Sequence, residues 1–196
     1  GITISRAQYE YARARVEQLG LEDRIDIILE DYRTVQGSYD KIVSIEMLEA
    51  VGHENLGRFF ESCDRVLKPD GLAVIQVITL PDARYETHRR ENSWTQKHIF
   101  PGGVIPSLTA LCQAMTERSR LQVEHIENIG IHYARTLRCW RQRLLDSADA
   151  LTAMGFDRIL RRTWEYYFSL CEAQFAMRAL NDLQMLLTRE GNRSLS

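Results

Sequence analysis

The sequence predicts an α/β fold, a doubly wound and mostly parallel sheet flanked by helices. Short apolar runs suited to buried strands alternate with segments of helical periodicity. Helix start and stop signals bracket those segments, with Ser5 and Gln8 before one and Gly20 after it. The turn sequence Lys68-Pro69-Asp70-Gly71 then leads into an apolar run.

Taken in order, Gly1 to Ile4 reads as the end of a buried strand. Ser5-x-x-Gln8 is a capping-box pattern, and Tyr9, Ala12, Val16 and Leu19 recur at helical spacing behind it. Ile25 to Leu29, Ile42 to Ile45 and Leu72 to Ile78 are three further strands. Between the last two lies a helix with Leu56, Phe59, Phe60, Cys63, Val66 and Leu67 on one face. Residues 80–106 interrupt the rhythm with a polar and aromatic stretch, an insertion expected to act as a lid or substrate-facing element outside the core. Arg84, Arg89, Arg90 and Lys97, interleaved with Tyr85 and Trp94, suit an anionic interface, although a solvated surface insertion fits as well. The rhythm resumes with a helix near Leu108 to Met115 and a strand near Leu121 to Glu127. Two long helices, roughly 132–154 and 158–179, are broken at Gly155-Phe156-Asp157, and a strand from Leu183 to Thr188 closes the chain.

Composition narrows the function. The chain has 196 residues, 44% of them hydrophobic and 27% charged, as in an ordinary globular domain with a real core. A net charge of -2 gives no general basic excess for nucleic-acid phosphates. No apolar run is long enough to cross a bilayer. The four cysteines are scattered without metal spacing and are expected to be reduced thiols in a cytoplasmic protein. The chain opens on Gly-Ile-Thr-Ile-Ser rather than Met, so residues 1–196 are expected to be the C-terminal part of one domain whose start lies upstream.

In an open α/β sheet, ligands bind beyond the carboxyl ends of the strands. Three such ends carry suitable residues. Thr3-Ile4-Ser5 and Gln8 offer hydroxyls and helix N-terminal amides to a ribose or carboxylate, though helix capping alone would explain Ser5 and Gln8. Asp31 can accept from an adenine amino group and Tyr32 can stack on the ring; a plain turn is the commoner use of such a segment. The third end is Ser44-Ile45-Glu46-Met47-Leu48-Glu49. Two carboxylates so close to a buried strand are costly to desolvate without work or partners, although a solvated first helical turn also favours acids. Further on, His125, Glu127, Asn128, His132 and Tyr133 gather at a strand-to-helix junction, in a spacing that fits no closed zinc site. Trp140, Trp164, Tyr166, Tyr167, Phe168 and Phe175 on the late helices are core by their spacing, and some are equally placed to line an acyl-chain tunnel.

The segments TISRAQ, EDYR, KIVSIEMLEAVG, LKPDG, IFPGGVIPS, ENIGIHYARTLRCW, RTWEYYFSLCEAQF and LQMLLTR, in this order over nearly the whole chain, resemble the cyclopropane-fatty-acyl-phospholipid synthase family. The resemblance implies a class I methyltransferase sheet with S-adenosylmethionine as methyl donor. The implied acceptor is a cis-unsaturated acyl chain on a phospholipid at the membrane surface. It also implies a carbocation deprotonated by bound bicarbonate. Thr3, Ile4, Ser5 and Gln8 match the family's donor-binding stretch, and Asp31 and Tyr32 its adenine-side loop. Glu49, Ile78 and Tyr133 match positions that hold bicarbonate. Where many members carry a bicarbonate-binding histidine this chain has Gln76, whose amide can donate a hydrogen bond but cannot carry a proton. That departure keeps open a fatty-acid C-methyltransferase on the same scaffold; a non-catalytic lipid-binding module is the rival from another class. The expected location is cytoplasmic with peripheral membrane contact, and a homodimer is one arrangement open to it.

The family's first strand and glycine-rich donor loop are not in the sequence. In the methyltransferase sheet that strand lies between the one ending at Ile4 and the one around Ile42 to Ile45. Strands sit about 4.8 Å apart, so a gap of roughly 9.6 Å with unpaired backbone groups is expected there. The glycine-rich loop being absent, weak donor binding by these 196 residues alone is expected as well.

Overall fold

A computed structural model describes residues 1–194. The elements are β1 (Ile2–Thr3), α1 (Arg6–Gln18), β2 (Ile28–Leu29), β3 (Tyr39–Ile45), α2 (Leu56–Val66), β4 (Leu67–Thr79), α3 (Asp82–His88), α4 (Trp94–His98), α5 (Leu108–Arg118), β5 (Leu121–Asn128), α6 (Gly130–Asp146), α7 (Ala148–Ala153), α8 (Arg158–Ala176) and β6 (Asn181–Arg189). Two short 3-10 turns, Leu48–Ala50 and His53–Asn55, lead from β3 into α2.

A four-stranded sheet runs in the order β3-β4-β6-β5, with β3 parallel to β4 and β6 antiparallel to both its neighbours. β1 and β2 pair in parallel as a separate two-stranded piece. Among the described residues, β1 and β3 each keep one edge without a strand neighbour. The division falls where the sequence places the absent strand. Val43 and Ile45 on β3 are 68% and 65% exposed, and no residue of α1 is buried.

The interior is alternation and stripe. On β4, Ala73, Ile75 and Val77 point to one side of the sheet, where they meet Leu183, Met185 and Leu187 of β6. α2 covers that side with Leu56, Phe59, Phe60, Cys63 and Val66, a helical stripe, and α5 adds Leu111 and Met115. The opposite side of β4 and β6 carries Gln76, Ile78, Asp182 and Gln184. There α6 and α8 form a second cluster with Leu137, Phe175 and Leu180.

Several elements differ from the sequence reading. The strand expected over Ile25 to Leu29 shrinks to Ile28–Leu29, because the amide of Ile25 closes a turn on the carbonyl of Leu21. The turn Lys68 to Gly71 is a bulge inside β4: Tyr39 pairs with Leu67, but Lys41 with Leu72. The helix expected over 132–154 starts earlier, at Gly130, and breaks at Ser147 into α6 and α7. The second long helix stops at Ala176, and Arg178 takes a left-handed φ of 54° beyond it. Residues 80–106 hold α3 and α4 and return beside their starting point, where Leu80 bridges to Ser107. Leu80 and Tyr85 are each only 5% exposed, so part of this segment is core, contrary to expectation. Two of its four cations are also engaged, since Arg89 and Arg90 both bind Glu86.

Candidate active site

β3 and β4 run side by side toward the edge of the sheet where antiparallel β6 begins, and α6 starts just above it. Three side chains on the α6-α8 side of the sheet therefore converge: Gln76 from β4, Asp182 and Gln184 from β6. The amide of Gln184 donates to Gln76 Oε1 at 2.9 Å, which fixes which end of the Gln76 amide is the donor. Gln76 Nε2 then faces Glu46 Oε1 at 2.9 Å, Tyr133 Oη at 3.2 Å and Asp182 Oδ2 at 3.2 Å. An amide nitrogen has two hydrogens, so three acceptors compete for them.

Tyr133 sits in the first turn of α6, and its hydroxyl donates to Glu46 Oε1 in a short hydrogen bond. Its phenol is raised above its ordinary value, first by burial and then by Glu46. The start of α6 is pinned to β6. Ile129 donates its amide to the carbonyl of Asp182 at 2.8 Å, and Asn128 Oδ1 accepts from the amide of Gly130. A Cβ at position 130 would stand 2.9 Å from the backbone nitrogen of Asp182, so only glycine lets the helix approach this closely. Glu46 ends β3 in a left-handed conformation, φ 51°, costing about 1–3 kcal/mol that its hydrogen bonds must offset.

Glu49 reaches the same region from the 3-10 turn. Its Oε1 accepts from the backbone amide of Ile78 at 2.5 Å, while Oε2 is buried without a partner. Burial pushes this carboxyl up to about 7, against the lowering effect of the Ile78 amide. Asp182 is likewise pushed up to about 7, by burial first and by Glu46 second, and its Oδ1 has no partner. Three acidic side chains thus share a region with a phenol and two amides, and among the described residues no cation is hydrogen-bonded to them. The arrangement can hold protons on carboxyl groups near neutral pH, which is the condition for proton transfer there.

The sequence-predicted residues fall into two groups. Glu49 meets Ile78, and Gln76 meets Tyr133, two pairs joined by the short stretch of β4 from Gln76 to Ile78. Glu46 and Glu49 do not share a helical face; they reach adjacent stretches of β4 from different elements, Glu46 at Gln76 and Glu49 at Ile78. Asp182 and Gln184 were missed. Their signal was polarity at alternate positions of an otherwise apolar strand, on one face by the strand period.

Thr3, Ile4, Ser5 and Gln8 lie at the end of β1, and Asp31 and Tyr32 just past β2. The register Thr3 to Leu29 puts the two strand ends side by side. Ser5 caps α1 by accepting from the amide of Gln8 at 3.3 Å. The reciprocal capping-box bond is replaced: Gln8 Oε1 accepts from the Thr3 hydroxyl at 2.8 Å instead. Ile4 is exposed. Arg33 binds Asp31 through two side-chain bonds and its own amide, holding that carboxyl down at about 2. Tyr32 packs against Phe59, ring centroids 5.9 Å apart, and so ties this pair of strands to the main core. His125 and His132 are exposed, and Asn128 caps α6.

The family model described as mycolic acid cyclopropane synthetase matches residues 1–185. The chain is 40% identical over 190 residues to the tuberculostearic acid methyltransferase UfaA1 of Mycobacterium tuberculosis, covering 97% of this chain and 44% of that protein. It is 32% identical over 189 residues to the cyclopropane-fatty-acyl-phospholipid synthase of Escherichia coli, covering 96% and 47%. The chain therefore spans about half the length of these relatives. Among solved structures, the mycolic acid cyclopropane synthase CmaA1 complexed with SAH and CTAB superposes with a TM-score of 0.81 at 24% identity, over 96% of this chain and 69% of that one. The cyclopropane synthase MmaA2 of M. tuberculosis gives 0.80 at 22%, with the same coverage.

Proposed function

The chain belongs to the mycolic acid cyclopropane synthetase family, a family of S-adenosylmethionine-dependent lipid methyltransferases, and from that premise we propose that its protein adds a methylene across a cis double bond of a phospholipid acyl chain. The observation that carries this reading is the buried, partly unpartnered carboxyl of Glu49 on the amide of Ile78, two residues along β4 from Gln76, which itself meets Tyr133.

S-adenosylmethionine, when bound, supplies an electrophilic methyl group for the two electrons of the acceptor double bond. Thr3, Ser5 and Gln8 would hold it from one strand end and Asp31 and Tyr32 from the next, a reading supported by the two ends lying side by side. What remains is to remove one proton, and the site is built for that. Bicarbonate fits as the base on the chemistry of the donor set. The Ile78 amide, the Gln76 amide and the Tyr133 hydroxyl are donors for an anion, and Glu49 Oε2 is a buried acceptor for that anion's own proton. Glu46 and Glu49 now take those same donors, so an oxyanion has the contacts of a carboxylate to replace. Holding Asp182 protonated limits the charge such an anion would meet. The surrounding apolar cluster keeps water from a cationic centre.

A second reading has its own support in the 40% identity to a fatty-acid methyltransferase and in Gln76, which cannot relay a proton. In it the same proton loss leaves a new double bond instead of a ring. One experiment separates the two. The full-length protein is incubated with donor and a cis-monounsaturated phospholipid, and the product acyl chain is analysed by mass and hydrogenation. Gain of one CH2 unit with loss of reducible unsaturation is expected. Gain of CH2 with unsaturation retained selects the second reading, and no gain overturns both.

A further inference from the structure

The far end of the α6-α8 pair carries a feature the reaction does not use. A cavity of about 350 Å³ opens between the two helices, lined by Leu144, Leu145 and Ala148 on one side and Arg158, Arg161, Arg162 and Glu165 on the other. Three arginines and one glutamate thus line it. Nearer the site, Arg138 binds Glu172 at 2.7 Å and Arg141 stands 3.8 Å from the same carboxylate. Arg158 and Arg162 have no ion-pair partner among the described residues. Arg161 gives one bond to the carbonyl of Ala148, but its Nε is buried and lacks an acceptor. Among the described residues the one carboxylate lining the cavity, Glu165, forms no ion pair with these arginines, which leaves their donors for an oxyanion from outside.

Beside the cavity, the α7-α8 turn and the first turn of α8 expose Met154 at 71% and Ile159 at 76%, with Phe156 and Leu160 also exposed. A cluster of large apolar side chains rimmed by arginines is unusual on a surface that meets only water. Apolar side chains at the depth of lipid headgroups, with arginines reaching phosphate, is the arrangement of an interfacial anchor. We infer that this end of the molecule is a docking site for an anionic phospholipid surface, in which the arginine-lined cavity takes a lipid phosphate and the four apolar residues enter the headgroup region. The choice of a lipid surface rests on the acyl-chain reading above; the oxyanion chemistry of the cavity does not. Tyr133 stands some twelve residues away along α6, about 18 Å at the helical rise, so docking and chemistry are separable.

The test uses the full-length protein and sedimentation with vesicles of phosphatidylglycerol and phosphatidylcholine, against vesicles of phosphatidylcholine alone. The wild type should bind the anionic vesicles, more weakly as salt rises. The double variant Arg158→Glu, Arg162→Glu should bind them about tenfold or more weakly, at about 1 kcal/mol per charge near the surface. The variant Met154→Ser, Ile159→Ser should lose binding without a change of charge, and the control Arg89→Ala, Arg90→Ala should bind as wild type. Circular dichroism confirms folding in each case. Both docking variants should turn over detergent-dispersed substrate normally. Equal sedimentation of wild type and both docking variants overturns the inference. So does equal binding to uncharged vesicles, or full displacement by millimolar inorganic phosphate, which would assign the cavity to a soluble phosphate. Lost docking in the variants of a protein that transfers no methyl would uphold the anchor and sink the reaction instead.

Discussion

Glu49 and Asp182 are carboxyl groups that folding makes weaker acids, and that has consequences which can be measured. Each is raised to about 7, by burial first. Below about pH 4 both are protonated in the folded and unfolded chain alike, and neither affects stability. Between there and pH 7 the folded protein holds protons that the unfolded chain has released, so stability falls as pH rises through that window. Above it the full penalty is present. Asp182→Asn should therefore remove part of the decline in denaturation midpoint between about pH 5 and 7.5. A variant with the wild-type slope would show that Asp182 is ionised at low pH in the fold. Glu49→Gln should keep the bond from Ile78 yet remove the proton acceptor. Turnover should drop by about 10²- to 10⁴-fold while donor affinity, measured by titration calorimetry, stays near that of wild type. An equal loss of donor affinity would remove Glu49 from the chemistry.

At the scale of elements, the strand β6 joins the site to the stability of the fold. Its start carries Asp182 and Gln184, and its end carries Arg189. Arg189 is 8% exposed and binds Asp64 Oδ1 at 2.6 Å together with the carbonyls of Asp64, Leu67 and Lys68. That one side chain fastens the end of α2 and the bulge of β4 to the last strand. Arg189→Lys keeps the charge but cannot reach four acceptors in a planar fork, and should cost about 3 kcal/mol in chemical denaturation. A loss under about 1 kcal/mol would mean that the bulge is held by its own backbone. Strand β6 also shows what the sequence made legible and what it did not. Leu183, Met185 and Leu187 gave the strand by their period, and they are buried as that period requires. The polar partners on the other face were overlooked because an isolated Asp or Gln in a strand has no local signature; its meaning comes from Gln76, more than a hundred residues earlier. Glu49 and Tyr133 stand out in the sequence as polar residues at strand ends, but their grouping with Gln76 and Ile78 comes from the family's motifs alone, since four residues on three elements share no spacing. The break at Ser147 was missed for a simpler reason. Serine is a weak breaker, and the apolar period runs on through it.

Across the whole molecule, order is unequally secured. The four-stranded sheet is sealed on one side by α2 and α5 and on the other by α6 and α8, and Ala73, Val77 and Leu187 are inaccessible to solvent within it. The first thirty residues have no such cover. Helix α1 buries no side chain, β1 and β2 are two residues each, and Tyr32 on Phe59 is a principal tie to the rest. Residues 1–196 on their own should not open all at once. In deuterium, amides of Arg6–Gln18 should exchange through a local opening, at protection close to that of a frayed helix. Amides of β4 and β6 should wait for global unfolding, with the same free energy as the chemical denaturation midpoint reports. The residues proposed to hold the methyl donor thus sit on the segment that opens first. A donor that binds there and nowhere in the open form should slow exchange across α1 while leaving β4 unchanged, until its concentration is high enough to stabilise the whole chain.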